Sequence, residues 1–162
     1  MTTRVGFTGT RAGLTQAQAN ALAAFLKLLP EKCELHHGDC IGADAIAHQL
    51  ATDLGWRTVA HPALTGIEFR ANLIANERRH PCPPLVRNED IVFDTDQLIA
   101  CPRAMHEEIR SGTWQTVRTA RKCARPVTVI WPSGVCERDP GTGDERDGEL
   151  APVALPAVDG DT

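Results

Sequence analysis

Three short runs of glycine, hydroxyl residues and arginine are places where this chain could grip an anion: Gly9-Thr10-Arg11, Gly38-Asp39-Cys40-Ile41-Gly42-Ala43-Asp44 and Arg110-Ser111-Gly112-Thr113. Glycine lets backbone amides approach a phosphate with no Cβ in the way. A helix start adds unpaired N–H groups and a positive dipole end, and Arg11 and Arg110 add charge-assisted contacts. A second cluster, His36, His37, Asp39 and Cys40, contains metal-ligating types, but its spacing matches no zinc pattern, so neither a metal nor a cofactor is expected. His48, further along, reads either as a site residue or as a residue at the core boundary.

Several common signatures are missing. Gly6, Gly9 and Gly13 do not make GxGxxG, there is no GxxxxGK, and neither Ser111 nor Ser133 lies in GxSxG. An ordinary nicotinamide site, phosphate-loop ATP hydrolysis and an α/β-hydrolase nucleophile are therefore not indicated.

Periodicity supplies the elements that must position the three runs. Apolar strands are expected at Arg4–Thr8, Cys33–His37, Trp56–His61, Gln97–Cys101 and Val127–Trp131. Between them fall helical patterns: one opening at Thr15, with Gln18 three residues on as in a capping box and Leu22 and Leu26 inward, then Ala43–Leu54 with Ala45, Ile46 and Leu50 inward. Arg87–Phe93 and Gly112–Cys123 read as further helices. Residues 62–84 are weakly patterned, with a short helix expected near Phe69–Asn76. Alternating strands and helices predict an α/β fold, a mostly parallel sheet of about five strands covered on both faces. All three runs then fall at carboxyl ends of strands, the edge where open parallel sheets bind ligands.

At 162 residues and 42% apolar content, one domain is expected. From Glu137 onward the chain has eight acidic and two basic residues, so the body before it carries a formal +2 against −4 for the whole. Residues 1–135 are expected to be the domain and 136–162 an acidic, disordered tail. Six scattered cysteines without a CxxC pair, and an amino terminus without a signal pattern or anchor, suggest free thiols and a cytoplasmic protein away from membranes.

The chain resembles the SLOG superfamily, which joins the DNA-processing A proteins to the Lonely-guy cytokinin-activating hydrolases. The resemblance covers roughly residues 4–133 and rests on the three runs together with Ala47-His48 and Arg87-Asn88. It looks most like the DNA-processing branch and the small single-domain bacterial and phage members. It implies a Rossmann-like three-layer αβα fold, a nucleotide or nucleotide-derived ligand over the strand ends, and a homodimer or higher homo-oligomer. The ligand-binding residues it suggests are Gly9, Thr10, Arg11, Gly38, Asp39, Gly42, Ala43, Asp44, Arg87, Asn88, Arg110, Ser111, Gly112 and Thr113.

Activity is a separate matter. The hydrolase branch carries a glutamate that aligns with Thr116, and a threonine cannot stabilise the cationic sugar of N-glycosidic cleavage. Glu107 and Glu108 lie upstream, either reaching in or solvated, and Arg87 would be the catalytic arginine if hydrolysis occurs. The leading expectation is binding of a nucleotide-derived molecule such as an ADP-ribose-type signal, for sensing or sequestration. Phosphoribohydrolase action on a nucleoside monophosphate comes second. Single-stranded DNA binding comes third, since four Phe, three Trp and no Tyr offer few stacking platforms. Trp114 either stacks on a base at the site or packs between helix and sheet.

Overall fold

The computed structural model describes residues 1–141 and 150–157. Its centre is an eight-stranded sheet: β1 (Thr3–Gly9), β2 (Cys33–His37), β3 (Arg57–Ala60), β4 (Glu77–Arg78), β5 (Gln97–Cys101), β6 (Val127–Ile130), β7 (Cys136–Asp139) and β8 (Ala151–Pro152). In space they run β4-β3-β2-β1-β5-β6-β7-β8. The first six are parallel, while β7 and β8 add antiparallel on the β6 side.

Four helices cover the sheet, α1 (Gln16–Leu28) and α2 (Ala43–Asp53) on one face, α3 (Pro84–Phe93) and α4 (Gly112–Lys122) on the other. The two cores follow from strand alternation. On β5, Ile99 and Cys101 join Phe7, Leu22 and Ala47 under α1 and α2, while Leu98 and Ala100 join Ile91, Trp114 and Val117 under α3 and α4. Because both faces are covered, all four β6 residues are buried, Thr128 included.

Local chemistry sets the helix ends. The Thr15 hydroxyl accepts from the Gln18 amide at 3.0 Å and caps α1. Gln18 does not complete a capping box. Its side-chain amide is buried and donates to the carbonyls of Pro102 and Ile130, tying α1 to the ends of β5 and β6. On α2 the buried residues are Ala43, Asp44, Ala47, His48 and Ala51, and Leu50 packs half-buried against the same core as expected, whereas Ala45 and Ile46 are not among the core residues; the small side chains let this helix lie close on β1 and β2.

Two stretches differ from expectation. Between β3 and α3 there is a 3₁₀ turn at Ile67–Phe69 and then extended chain leading to β4, where a helix at Phe69–Asn76 was expected. Residues 136–141 and 150–157 do not behave as a disordered tail: β7 pairs with β6 from Val127 to Ile130, Cys136 is buried in the core, and β8 pairs with β7. The acidic pattern hid a short strand in which Cys136 is apolar and the other three side chains are charged. The remainder of the expected tail lies outside the described residues. All six cysteines are free, Cys33, Cys101 and Cys136 among the buried residues. Among the described residues no helix is long and apolar enough to cross a membrane.

Candidate functional site

The chain reverses its direction of sheet growth between β1 and β5, so the loops leaving those neighbours part and open a crevice. A cavity of about 590 Å³ occupies it. The loop after β1 contributes Gly9, Thr10 and Arg11, the loop after β2 Gly38, Cys40 and Asp44, and the segment around α4's start Arg110, Ser111, Gly112 and Thr113. Helix α3 adds Arg87 and Asn88. The three runs and the Arg-Asn pair thus meet on one space.

The loops do not offer their amides equally, as tracing each donor reveals. Gly38 and Cys40 both donate to Asp44 Oδ2, at 3.0 and 3.1 Å, and Asp39 donates to His37 Nδ1 at 3.0 Å. Ile41 donates to the Phe69 carbonyl and Ala43 to the Thr10 carbonyl. The β2 loop therefore cradles its own Asp44 carboxylate, and those amides are spent. At α4 the situation is reversed. Ser111 Oγ caps the helix by accepting from the Trp114 amide at 3.3 Å, while the amides of Gly112 and Thr113 have no partner among the described residues and stand at the cavity. The unspent amides are thus at the α4 N-terminus, with Arg110 exposed beside it.

Arg87 is buried and is held by carbonyls rather than a carboxylate: Nη1 donates to Gly38 at 2.7 Å and to His61 at 3.2 Å, and Nε donates to Asn88 Oδ1 at 2.8 Å. Asn88 in turn donates to Gln115 Oε1 at 2.9 Å, linking α3 to α4. Burial pushes the Asp44 carboxyl up to about 6, against the pull of the Cys40 and Gly38 amides and of Arg87. Four arginines line the cavity, Arg11, Arg87, Arg103 and Arg110, and Asp44 is its one carboxylate.

Three expected ligand residues stand behind the cavity instead of on it. Asp39, with a left-handed φ of 54°, is wholly buried; Oδ1 accepts from the Leu73 amide and Oδ2 from Arg78, both at 2.8 Å. It fastens the β3–α3 segment to the β2 loop. Gly42 has φ +86°, and a Cβ there would run into the Arg11 carbonyl, so its role is to let α2 begin against the β1 loop. Ala43 is buried beneath the same loop.

Conversely, Phe69, Leu85 and Arg103 line the cavity although none was expected there. The Arg11 guanidinium lies 4.1 Å from the Phe69 ring centroid, making a stacked platform at the cavity wall. The only sequence signal for Phe69 is Gly66 two residues before the 3₁₀ turn's middle, a left-handed turn residue at φ +69°.

The remaining candidates fall outside the cavity lining. Glu108 pairs with Arg103 at 2.7 Å, and Glu107 pairs with Arg118 and Arg121 at 3.3 Å. Thr116 is buried and donates to the Gly112 carbonyl at 2.9 Å. Trp114 is buried 5.7 Å from Trp131, between α4 and the sheet. His48 is also buried, its Nδ1 facing His37 Nε2 at 3.0 Å. His37 accepts from the Asp39 amide on its other nitrogen, and burial holds it neutral, its pKa lowered to about 3. His36 and His37 point to opposite faces of β2, so the sequence cluster His36, His37, Asp39 and Cys40 does not gather on one ion.

No family model matches the chain, and no curated protein matches it. Solved structures do. The molybdenum cofactor binding protein from the phototrophic bacterium Rippkaea orientalis aligns with a TM-score of 0.62 at 22% identity, over 81% of this chain and 77% of that one. DNA processing protein A from Streptococcus pneumoniae aligns at 0.59 and 21% identity, over 80% of this chain and 50% of that one. The chain shares the Rossmann-like α/β fold of these two proteins. The Helicobacter pylori DNA processing protein A, solved for its single-stranded DNA binding mode, shares this fold with a TM-score of 0.53 at 18% identity, over 78% of this chain and 64% of that one. The chain therefore spans half to two thirds of the DNA-processing proteins' length and about three quarters of the cofactor-binding protein's.

Proposed function

We propose that this protein binds a phosphorylated, nucleotide-like small molecule, and that it senses or sequesters that molecule. The observation carrying this reading is the pair of unspent amides at Gly112 and Thr113, opening with Arg110 onto an arginine-rich cavity of about 590 Å³. A phosphate seated there meets two N–H donors, a helix dipole and a guanidinium. Asp44 accepts from a sugar hydroxyl with the oxygen not engaged by the Gly38 and Cys40 amides. Phe69 and Leu85 give a flat heterocycle an apolar wall. Arg87 holds the β2 loop in position and adds charge.

The size of the cavity favours one small guest over a polymer, since pockets for small ligands run from about 300 to 1,000 Å³. The test is native mass spectrometry of the purified chain followed by calorimetry against mononucleotides, dinucleotides, ADP-ribose-type compounds and the molybdenum cofactor. Saturable binding of one phosphorylated heterocycle per chain, weakened by Arg110→Ala, supports the reading. If no member binds while a single-stranded oligonucleotide does, with affinity falling steeply in salt, the DNA-binding reading replaces it. Release of free base from a nucleoside monophosphate would instead favour hydrolysis, with Asp44 as the carboxylate available to it.

A further inference from the structure

A second cluster lies apart from the strand-end cavity. His36 on β2, His61 just beyond β3 and Asp94 at the end of α3 each contribute one potential ligand atom, and these atoms lie within 4.8 Å of one another. The two imidazoles are almost completely buried, and their nitrogens face each other, His36 Nδ1 to His61 Nε2, at 2.8 Å. Glu34 Oε1 accepts from His36 Nε2 at 2.7 Å. That bond places the His36 proton on Nε2 and leaves an Nδ1 lone pair aimed at His61 and Asp94. A carboxylate behind a histidine in this way is the arrangement that orients metal-ligating imidazoles.

A cavity of about 260 Å³ opens onto the cluster, lined by His61, Arg79, His80, Cys82, Asp90 and Asp94. It provides an entry path and room for solvent as a further ligand. Two nitrogens each about 2.0–2.1 Å from one ion sit about 3 Å apart or slightly more, so the imidazoles need to separate by only a few tenths of an ångström.

We propose that His36, His61 and Asp94, backed by Glu34, bind one divalent transition-metal ion, with an open coordination position facing the smaller cavity. Two imidazoles and a carboxylate select zinc, cobalt or nickel over magnesium and calcium. The ion displaces the Arg79 guanidinium, 3.4 Å from Asp94 Oδ2, which keeps its contact with Glu77 at 3.1 Å. A ligated His61 also immobilises its own carbonyl, an acceptor for Arg87. The ligands come from three elements, with His61 and Asp94 far from His36 in the chain, so no short motif announces them.

The test uses the full chain, stripped with a chelator and titrated with Co²⁺ alone, read by visible d–d absorption and calorimetry. One equivalent is expected to saturate the signal, and Zn²⁺ to remove it. Asp94→Asn, at a partly exposed helix end, and His61→Gln should each weaken Co²⁺ by tenfold or more, and Glu34→Gln by about tenfold to a hundredfold. Should the histidine variant fail to fold, Asp94→Asn carries the test. Absence of d–d bands with excess Co²⁺, or bands insensitive to Asp94→Asn, overturns the proposal. Neither outcome depends on a nucleotide binding the larger cavity, so the two readings fail separately.

Discussion

Arg87 donates through Nη1 to the carbonyl of Gly38 at 2.7 Å, and no side chain fits at Gly38 without displacing that guanidinium. A Cβ on Gly38 would come 2.6 Å from Nη1 and 2.9 Å from Cζ of Arg87. The arginine, reaching the His61 carbonyl as well, thereby joins the ends of β2 and β3 to α3.

Gly38→Ala is accordingly expected to lower stability by about 1–3 kcal/mol, the cost of breaking a charge-assisted hydrogen bond and leaving a buried carbonyl unpaired. Ligand affinity should fall about tenfold with it. Arg87→Lys should not preserve either property, because an ammonium cannot span both carbonyls and Asn88. Urea denaturation and calorimetry on the two variants check this.

Arg110 is exposed and makes no ion pair among the described residues, so Arg110→Ala should leave the urea midpoint unchanged. Affinity for a phosphorylated ligand should fall about tenfold, and its salt dependence should become shallower. A variant that binds as tightly as the native chain would move the phosphate away from α4.

Asp44 gives the site a pH dependence of definite sign. Its carboxyl is raised from 3.8 to about 6, so ligand binding should weaken as pH falls through 6 and the carboxylate that accepts from the sugar hydroxyl takes up a proton. In the same window the folded state holds a proton that the unfolded chain has lost. The destabilisation from ionised Asp44, full above pH 6, therefore fades as pH falls toward 3.8. Asp44→Asn should flatten the affinity profile and be at least as stable at neutral pH, since its amide oxygen can still accept from Gly38 and Cys40. Comparing wild type with variant separates Asp44 from the ligand's own titration.

Trp114 packs against Trp131 away from the cavity, and its Nε1 has no acceptor among the described residues. Trp114→Phe should cost about 1–3 kcal/mol through lost volume, moderated by removal of that unpaired N–H. Ligand affinity should stay within about twofold. A larger loss of affinity with unchanged stability would put the indole at the ligand.

Ending the chain at Val135 removes β7, strips Cys136 from the core and bares β6. The truncated chain should aggregate or melt at markedly lower temperature, as measured by light scattering and circular dichroism.

The order of strands and helices, and the meeting of three polar runs at one sheet edge, are legible because apolar periodicity and glycine placement are local properties. Gly9 and Gly112 declare themselves in this way. What the amides of Gly38 and Cys40 bind is not legible, since Asp44 is both a residue of the run and the group that occupies it. Phe69 escapes notice because it is brought to the cavity by the distant β2 loop: its carbonyl accepts from the Ile41 amide, and Asp39 fastens the following segment from 34 residues away in sequence. Cys136–Asp139 escapes for a different reason: the strand is four residues long and three of them are charged, and a single buried cysteine is too little apolar signal to separate it from an acidic terminus.

Both outermost strands are only two residues long, Glu77–Arg78 on one flank and Ala151–Pro152 on the other, and the second contains a proline that cannot donate to a new neighbour. Two copies consequently have almost no exposed backbone ladder to zip together into a continuous sheet. Among the described residues, any edge-to-edge contact between copies would engage only a few backbone groups and be easily broken.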